Sequence, residues 1–272
     1  ASGRAAHSIG AGAADRESVG RLSDLRRSML KSLPVHMLWV SGELSRLARL
    51  SLASFLAHGY RVTLWSYDKP PLQRCGVELR DAAELAPREG SFAALTSLFR
   101  YNVLATHGGV WSDMDIVALN ATPDIPAMPL VASGKRRPFR HREASATGEG
   151  LTQVTNCFMA NPTPCDGDLW QRATSSVESI VPHERTWENV GPHLLTRLML
   201  DRPDHGVHIL PPEAVDPVAW WNVPAYFLEA RDPPPSPFMH MYASIWAKRG
   251  ADAEAPFPES SLAGKLWRAY GL

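Results

Sequence analysis

The chain has 272 residues, 44% hydrophobic and 21% charged, with 28 Lys/Arg balanced by 28 Asp/Glu and a sequence pI near 7.3. That composition fits a globular chain with room for a large core and excludes a basic coat for nucleic acid. Cys75, Cys157 and Cys165 show no CxxC spacing, against both a disulfide framework and a zinc ribbon, and no apolar run approaches the roughly 20 residues of a membrane span.

Without an apolar N-terminal h-region, the expected location is the cytoplasm, with reduced thiols and at most a peripheral membrane contact. The 23 prolines and nine tryptophans suggest either a loop-rich protein with aromatic surfaces for flat ligands or simply large core residues.

Residues 1–32, rich in Ala, Gly, Ser and Arg, read as a flexible tail with a short helix over Leu22–Leu30. The apolar run Val35–Val40 reads as a buried strand. A helix over 43–58 follows, with Leu47, Leu50, Ser51 and Ser54 on one face and Gly59 at its end. Tyr60–Tyr67 is a second strand, so the chain opens as a parallel β-α-β unit of an α/β sheet. Residues 70–90 read as irregular, with a helical turn near Asp81–Leu85.

Ser91 caps a helix running to His107, where Gly108-Gly109 stop it. Gly108–Val117 then reads as a strand carrying Asp113 and Asp115 on one face with Trp111. Two like charges on a buried strand repel and desolvate poorly, which points to a divalent cation with oxygen ligands. Further strands are expected at 129–133, 152–160 and 207–210, and helices at 166–180 and 191–200. The segment 134–150, with five Lys/Arg within 135–142, reads as a solvated loop or as a flap meeting an anionic donor, acceptor or membrane surface. An irregular aromatic region (Trp220-Trp221) leads to Phe238–Trp246. One catalytic domain over 33–248 with a C-terminal extension over 249–272 is the expected organisation.

Three separated stretches share a pattern: Val35–Gly42, Arg100 with Gly108-Gly109-Val110-Trp111-Ser112-Asp113-Met114-Asp115, and His240 with Ser244 and Trp246. Together they resemble the DXD-containing sugar transferases. These include clostridial toxin glucosyltransferases, fungal initiating mannosyltransferases, α-1,4-galactosyltransferases and capsular-polysaccharide transferases. Asn156 and Gly191-Pro192 stand where that superfamily often has an Asn-bearing strand and a GP-opened helix. A lone DXD is a weak signal; the ordered set is far more specific.

The resemblance implies a GT-A fold, an α/β nucleotide-binding sheet with the donor at the C-terminal ends of its strands. It implies that Trp39, beside Val40, stacks on the nucleobase and that Arg100 forks onto sugar or phosphate oxygens. Asp115 would be the direct metal ligand, Asp113 would hold ribose and reach the metal through water, and His240 or Ser244 would complete the site. The metal would be Mn²⁺ or Mg²⁺ and the donor a UDP-sugar, with a GDP-sugar as the other option. Trp111 would contact the diphosphate or sugar, Trp246 would close over the diphosphate, and Asn156 would meet the sugar or acceptor. The chain departs from the toxins at Ser97, where an acidic residue helps hold the sugar, and at Met241, where a Glu binds the metal. The implied reaction is hexosyl transfer, with retention, to a glycan, lipid-linked or other hydroxyl acceptor, as in polysaccharide biosynthesis. Two other readings remain: an aspartate-based phosphatase using Asp113 and Asp115, and a non-catalytic sugar-nucleotide-binding protein.

Overall fold

The apolar run after Pro34 forms the strand Val35–Trp39 (β1), buried along most of its length as its unbroken hydrophobicity requires. A computed structural model describes residues 33–68, 76–120, 125, 128–134, 153–165, 167–202 and 204–272. The expected N-terminal tail and residues 135–150 of the basic segment lie outside the described residues. Helix Arg46–Ala57 (α1) is capped by the Ser45 side chain, which accepts from the Ala48 amide, and it ends at His58 before Gly59. Strand Val62–Ser66 (β2) returns parallel to β1, in register from Val35 opposite Val62 to Trp39 opposite Ser66.

A further parallel strand, Val77–Asp81 (β3), lies beyond β2 where the sequence suggested irregular chain. It was hidden because its residues are half-buried or exposed, and an edge position demands no apolar pattern. Helix Phe92–His107 (α2), capped by Ser91, then carries the chain across to strand Gly109–Ser112 (β4), which pairs parallel with the other side of β1.

Strand Ile116–Ala118 (β5) leaves the main sheet and pairs antiparallel with Phe238–His240 (β9). Strands Leu130–Ser133 (β6), Val154–Asn161 (β7) and His208–Ile209 (β8) complete the main sheet. Its order is β3-β2-β1-β4-β7-β6-β8, with only β7 antiparallel to its neighbours. The chain builds outward from β1 in one direction and then restarts on its other side at β4. Such a reversal leaves a crevice at the carboxyl ends of the two strands.

Helices Leu169–Ser179 (α3), Trp187–Val190 (α4) and Pro192–Leu200 (α5) pack with α2 on one face of the sheet, where Leu38, Trp65 and Trp111 meet Phe99, Trp170 and Leu195. On the other face Val35, Met37 and Val110 meet Ala48, Leu52 and Phe55 of α1. The alternation of β1 thus feeds two cores. Helices Pro212–Val215 (α6), Val223–Leu228 (α7), Ala243–Trp246 (α8) and Leu262–Ala269 (α9) follow. A third core joins Leu47 and Leu50 of α1 to Val117, Phe227, Met239, Trp246 and, from α9, Leu262 and Leu266. Residues beyond 248 therefore help to cover β5 and β9. The architecture is a mixed α/β single domain, a seven-stranded sheet flanked by helices. Among the described residues no helix is long and apolar enough to cross a membrane.

Candidate active site

Two glycines set the position of β4. Gly108 and Gly109 have φ values of 68° and 86°, and a Cβ on either would lie 2.7 Å from a backbone oxygen, that of Asn161 or Pro34 respectively. This close approach lets the Val110 amide donate to the Pro34 carbonyl at 2.9 Å, which brings β4 against β1. Because the strands are parallel, Trp39 and Asp113 leave the sheet at the same edge, on either side of the crevice.

The strand does not continue through the aspartates. Asp113 donates its amide to the Cys157 carbonyl at 2.8 Å, the chain turns, and the Ile116 amide returns to the Asp113 carbonyl at 3.2 Å. The turn forms because β5 is drawn off to α1: Ser51 Oγ donates to the Ile116 carbonyl at 2.6 Å, and the Ala118 amide donates to Ser54 Oγ at 2.9 Å. Met114 is buried in the first core, while the side chains of Asp113 and Asp115 stay 25% and 19% exposed at the mouth of the turn. A turn, rather than strand alternation, brings the two carboxylates to the crevice.

Each carboxylate has its own partners. Trp111 Nε1 donates to Asp113 Oδ1 at 2.8 Å, and Arg100 Nη2 stands 3.4 Å from the same oxygen. Arg100 comes from the middle of α2, is 8% exposed, donates through Nη1 to the Asn156 carbonyl at 2.8 Å, and lies 5.3 Å from the Trp111 ring centre. Asp115 Oδ2 accepts the Ala243 amide at 2.8 Å, its carbonyl accepts the Met241 amide at 2.7 Å, and its Oδ1 lies 3.3 Å from His240 Nε2. Arg100 and His240 each supply a basic partner to one of the two carboxylates, which eases the repulsion between them.

The titration of the pair follows from these contacts. Burial raises Asp113, against Arg100, and the neighbouring Asp115 charge adds to the rise. Burial also works to raise Asp115, but His240 and the Ala243 amide outweigh it and hold the carboxyl below its ordinary range. Burial would lower His240; the Asp115 charge, with hydrogen bonds to Asp115 and Asp216, instead lifts it well above the usual imidazole value. The two aspartates are thus unequal, with Asp115 the more firmly ionised.

The flank wraps around Asp115 by an uncommon backbone. Tyr242 has φ 52°, the left-handed region that a tyrosine rarely occupies, and its ring stacks on His240 with centroids 3.7 Å apart. Behind His240, Nδ1 lies 3.1 Å from Asp216 Oδ1, and Asp216 is 1% exposed. Burial pushes the nearby Cys157 thiol up.

The other expected residues divide. Trp39 is half-buried at the end of β1, with its indole N–H on the Gly42 carbonyl at 3.1 Å, and Val40 packs on the second core. Both are at the crevice edge. Asn156 lies in the same neighbourhood but is 5% exposed, and the Gly191 backbone packs against its side-chain amide. Asn156 and Gly191 are thereby brought together. Ser97 and Trp111 are 2% exposed, so neither presents its side chain freely to a ligand in this conformation. Ser244 is exposed, and the hydrogen bond to Asp115 comes from the amide of Ala243 before it. Trp246 departs most from expectation: it is fully buried in the third core, its indole N–H on the Met241 carbonyl at 2.8 Å. The flank is folded onto α1 and α9, and the ring is a core group here, not a cover over the crevice. Asp216 and Tyr242 were missed; an isolated Asp-Pro and a Tyr in an aromatic segment give no sequence signal.

No protein-family model matches the chain, and no curated protein does. Among solved structures it is similar to the PaToxG glycosyltransferase (TM-score 0.44, 15% identity, over 69% of this chain and 79% of that one). It is also similar to the apo structure of the WbbM bifunctional glycosyltransferase (TM-score 0.46, 12% identity, over 87% of this chain). The chain spans about half of the latter, 51%. At such identities site side chains are not shared as a rule, and the functional argument rests on the residues above.

Proposed function

We propose that the chain is a GT-A glycosyltransferase that moves a sugar from a nucleotide-sugar donor to a hydroxyl acceptor, assisted by a divalent cation and with retention of configuration. The observation that carries this reading is the turn bearing Asp113 and Asp115 at the β1/β4 reversal, with Trp39 on the opposite lip. That is where an open α/β sheet receives a nucleotide.

The donor set suits the cation. Asp115 offers an ionised, partly exposed carboxylate, and His240 adds an imidazole nitrogen 3.3 Å from it, a combination that Mn²⁺ accepts. Asp115 and His240 would hold the ion, with Asp113 reaching it through water and Ser244 supplying a hydroxyl from the exposed flank. Bound there, the ion neutralises charge that builds on the leaving diphosphate.

The remaining roles belong to the chain itself. Trp39 offers a flat indole face to the base. Asp113, fixed by the Trp111 N–H and Arg100, presents its other oxygen to ribose hydroxyls. Arg100 has hydrogen bonds to the Thr96 and Asn156 carbonyls and so acts by holding Asp113 rather than by forking onto the sugar. Retention follows the resemblance: a front-side, ion-pair-like substitution in which a departing phosphate oxygen takes the acceptor proton.

The test is a panel of UDP- and GDP-sugars with Mn²⁺, scored for nucleotide release. One donor is expected to turn over slowly, and Asp115→Ala should abolish it. Full turnover by Asp115→Ala, or in EDTA, would remove the cation from the reaction.

A further inference from the structure

His240 faces a carboxylate through each ring nitrogen: Nε2 lies 3.3 Å from Asp115 and Nδ1 lies 3.1 Å from Asp216. The side turned away from Asp115 has a donor set of its own. Cys157 Sγ, a carboxylate oxygen of Asp216 and a ring nitrogen of His240 all lie within 4.8 Å of one another. Cys157 and Asp216 are 3% and 1% exposed, and the His240 side chain is 11% exposed. Asp216 Oδ2 is buried and has no hydrogen-bond partner among the described residues, while the Tyr242 side chain also addresses this carboxylate. The Asp216–His240 contact offsets part of this carboxylate's desolvation, but one buried oxygen beside a thiol and an imidazole keeps acceptor capacity to spare.

We infer that Cys157, Asp216 and His240 form a second cation site, behind the Asp113–Asp115 turn, for a thiophilic divalent ion of the zinc class. The donor types decide the class. Sulfur, imidazole nitrogen and one carboxylate oxygen are zinc ligands, whereas a harder ion is better served by the carboxylates at the mouth of the turn. The spacing is compatible: ligands at about 2.0–2.3 Å around a tetrahedral ion lie roughly 3.3–3.7 Å from each other. Coordination through Nδ1 leaves the Nε2 hydrogen directed at Asp115 Oδ1, so that Asp115 becomes the carboxylate that orients a metal-bound histidine. The ligands come from β7, the chain after α6, and the end of β9, so an ion there would tie together three segments distant in sequence. Binding releases the Cys157 thiol proton and the His240 Nδ1 proton to solvent, leaving the imidazole neutral with its hydrogen on Nε2. The two sites share His240, so an ion in the inner site competes for that residue with the outer ion proposed above.

The experiment uses the full chain, stripped with EDTA, in a Cys75→Ser/Cys165→Ser background so that Cys157 is the one thiol. Titration with Co²⁺ should give one equivalent bound, with near-ultraviolet thiolate-to-metal charge-transfer absorption and tetrahedral visible bands, all bleached by Zn²⁺. Cys157→Ser should lose the charge-transfer absorption, and Asp216→Asn should bind Co²⁺ about ten-fold or more weakly. X-ray absorption of the Zn²⁺-loaded background protein, which depends on no ligand variant folding, should show one sulfur at about 2.3 Å. Absence of the charge-transfer band together with an oxygen-and-nitrogen-only zinc shell overturns the site. Mn²⁺ and UDP binding are read separately. If both are absent while the cobalt band is present, the sugar-transfer reading falls and the inner site stands.

Discussion

Replacing Arg100 with Met keeps an aliphatic stem in the helix and removes the guanidinium, so it isolates what that group does beneath the aspartate turn. Four interactions are lost, one of them the hydrogen bond from Nε to the Thr96 carbonyl at 3.1 Å. The hydrogen bond from Nη1 to the buried Asn156 carbonyl, at 2.8 Å, is charge-assisted and worth about 1.5–3 kcal/mol. The approach to the Trp111 ring contributes about 0.5–1 kcal/mol. The ion pair with Asp113, a carboxylate that keeps 25% exposure, adds no more than about 1 kcal/mol after screening. Since such contributions overlap, the expected loss is about 2–4 kcal/mol, read by urea unfolding. A second readout separates packing from charge: Asp113, already raised by burial, loses the cation that most opposes the rise, so its titration should move to still higher pH by carboxyl NMR. Arg100→Lys should restore much of the Asp113 titration but not the simultaneous hydrogen bonds to the Thr96 and Asn156 carbonyls. A stability change under about 0.5 kcal/mol with an unmoved Asp113 would refute the assignment of Arg100 as the positioning cation.

Other consequences are equally direct. Trp39→Ala should weaken UDP binding by about 1–3 kcal/mol in calorimetry if the ring stacks on the base, and unchanged affinity in a folded variant would return Trp39 to the core. Gly109→Ala must place a Cβ at φ 86° and 2.7 Å from the Pro34 carbonyl oxygen, so about 1–3 kcal/mol of stability should be lost in denaturant titration, and a neutral result would mean that β1 and β4 can separate freely. His36 is held near pKa 4 chiefly by burial, with His107 and Arg80 adding to the depression. Because the folded value lies below the unfolded one, the unfolded chain takes the proton first. The stability due to neutral His36 is complete above about pH 6.5 and falls as pH drops toward 4, by about 3 kcal/mol. Unfolding midpoints of the wild type and His36→Phe should converge on acidification through that window; parallel curves would count against it.

The parts of the fold legible in the sequence are those where burial writes a pattern. Val35–Trp39 and Val62–Ser66 are apolar because both sheet faces are covered, and Ser91 and Gly108 bracket α2 by capping chemistry. Val77–Asp81 was not legible, since an edge strand with exposed side chains leaves composition free. At the candidate site, the ordered motifs named Arg100 and His240, which the structure sets beside Asp113 and Asp115, but the chain between the aspartates is a turn and not the strand their spacing suggests. Asp113–Asp115 has the spacing of a strand, yet the Ser51 hydroxyl donating to the Ile116 carbonyl and the Ser54 hydroxyl accepting the Ala118 amide, some sixty residues earlier, pull the following strand away. Trp246 shows the converse: a side chain whose motif position suggested a lid is drawn into a core built by α1 and α9, segments its own neighbourhood could not reveal.

The electrostatics of the turn also say how the outer site would load. Asp113 is satisfied without a metal, because Trp111 and Arg100 both address its Oδ1. Asp115 is satisfied differently, by the Ala243 amide and by a histidine whose charge depends on a proton. A guanidinium cannot give up its proton and so cannot make way by deprotonating, whereas an imidazolium can exchange its proton for an ion at the same nitrogen. On the proposed reading, entry of a cation would therefore be directed to the Asp115 side, with Asp113 keeping its place against Arg100. The inequality between the aspartates does not come from their positions in the motif, which are symmetric about Met114. It comes from pairing one carboxylate with a permanent charge and the other with a removable one.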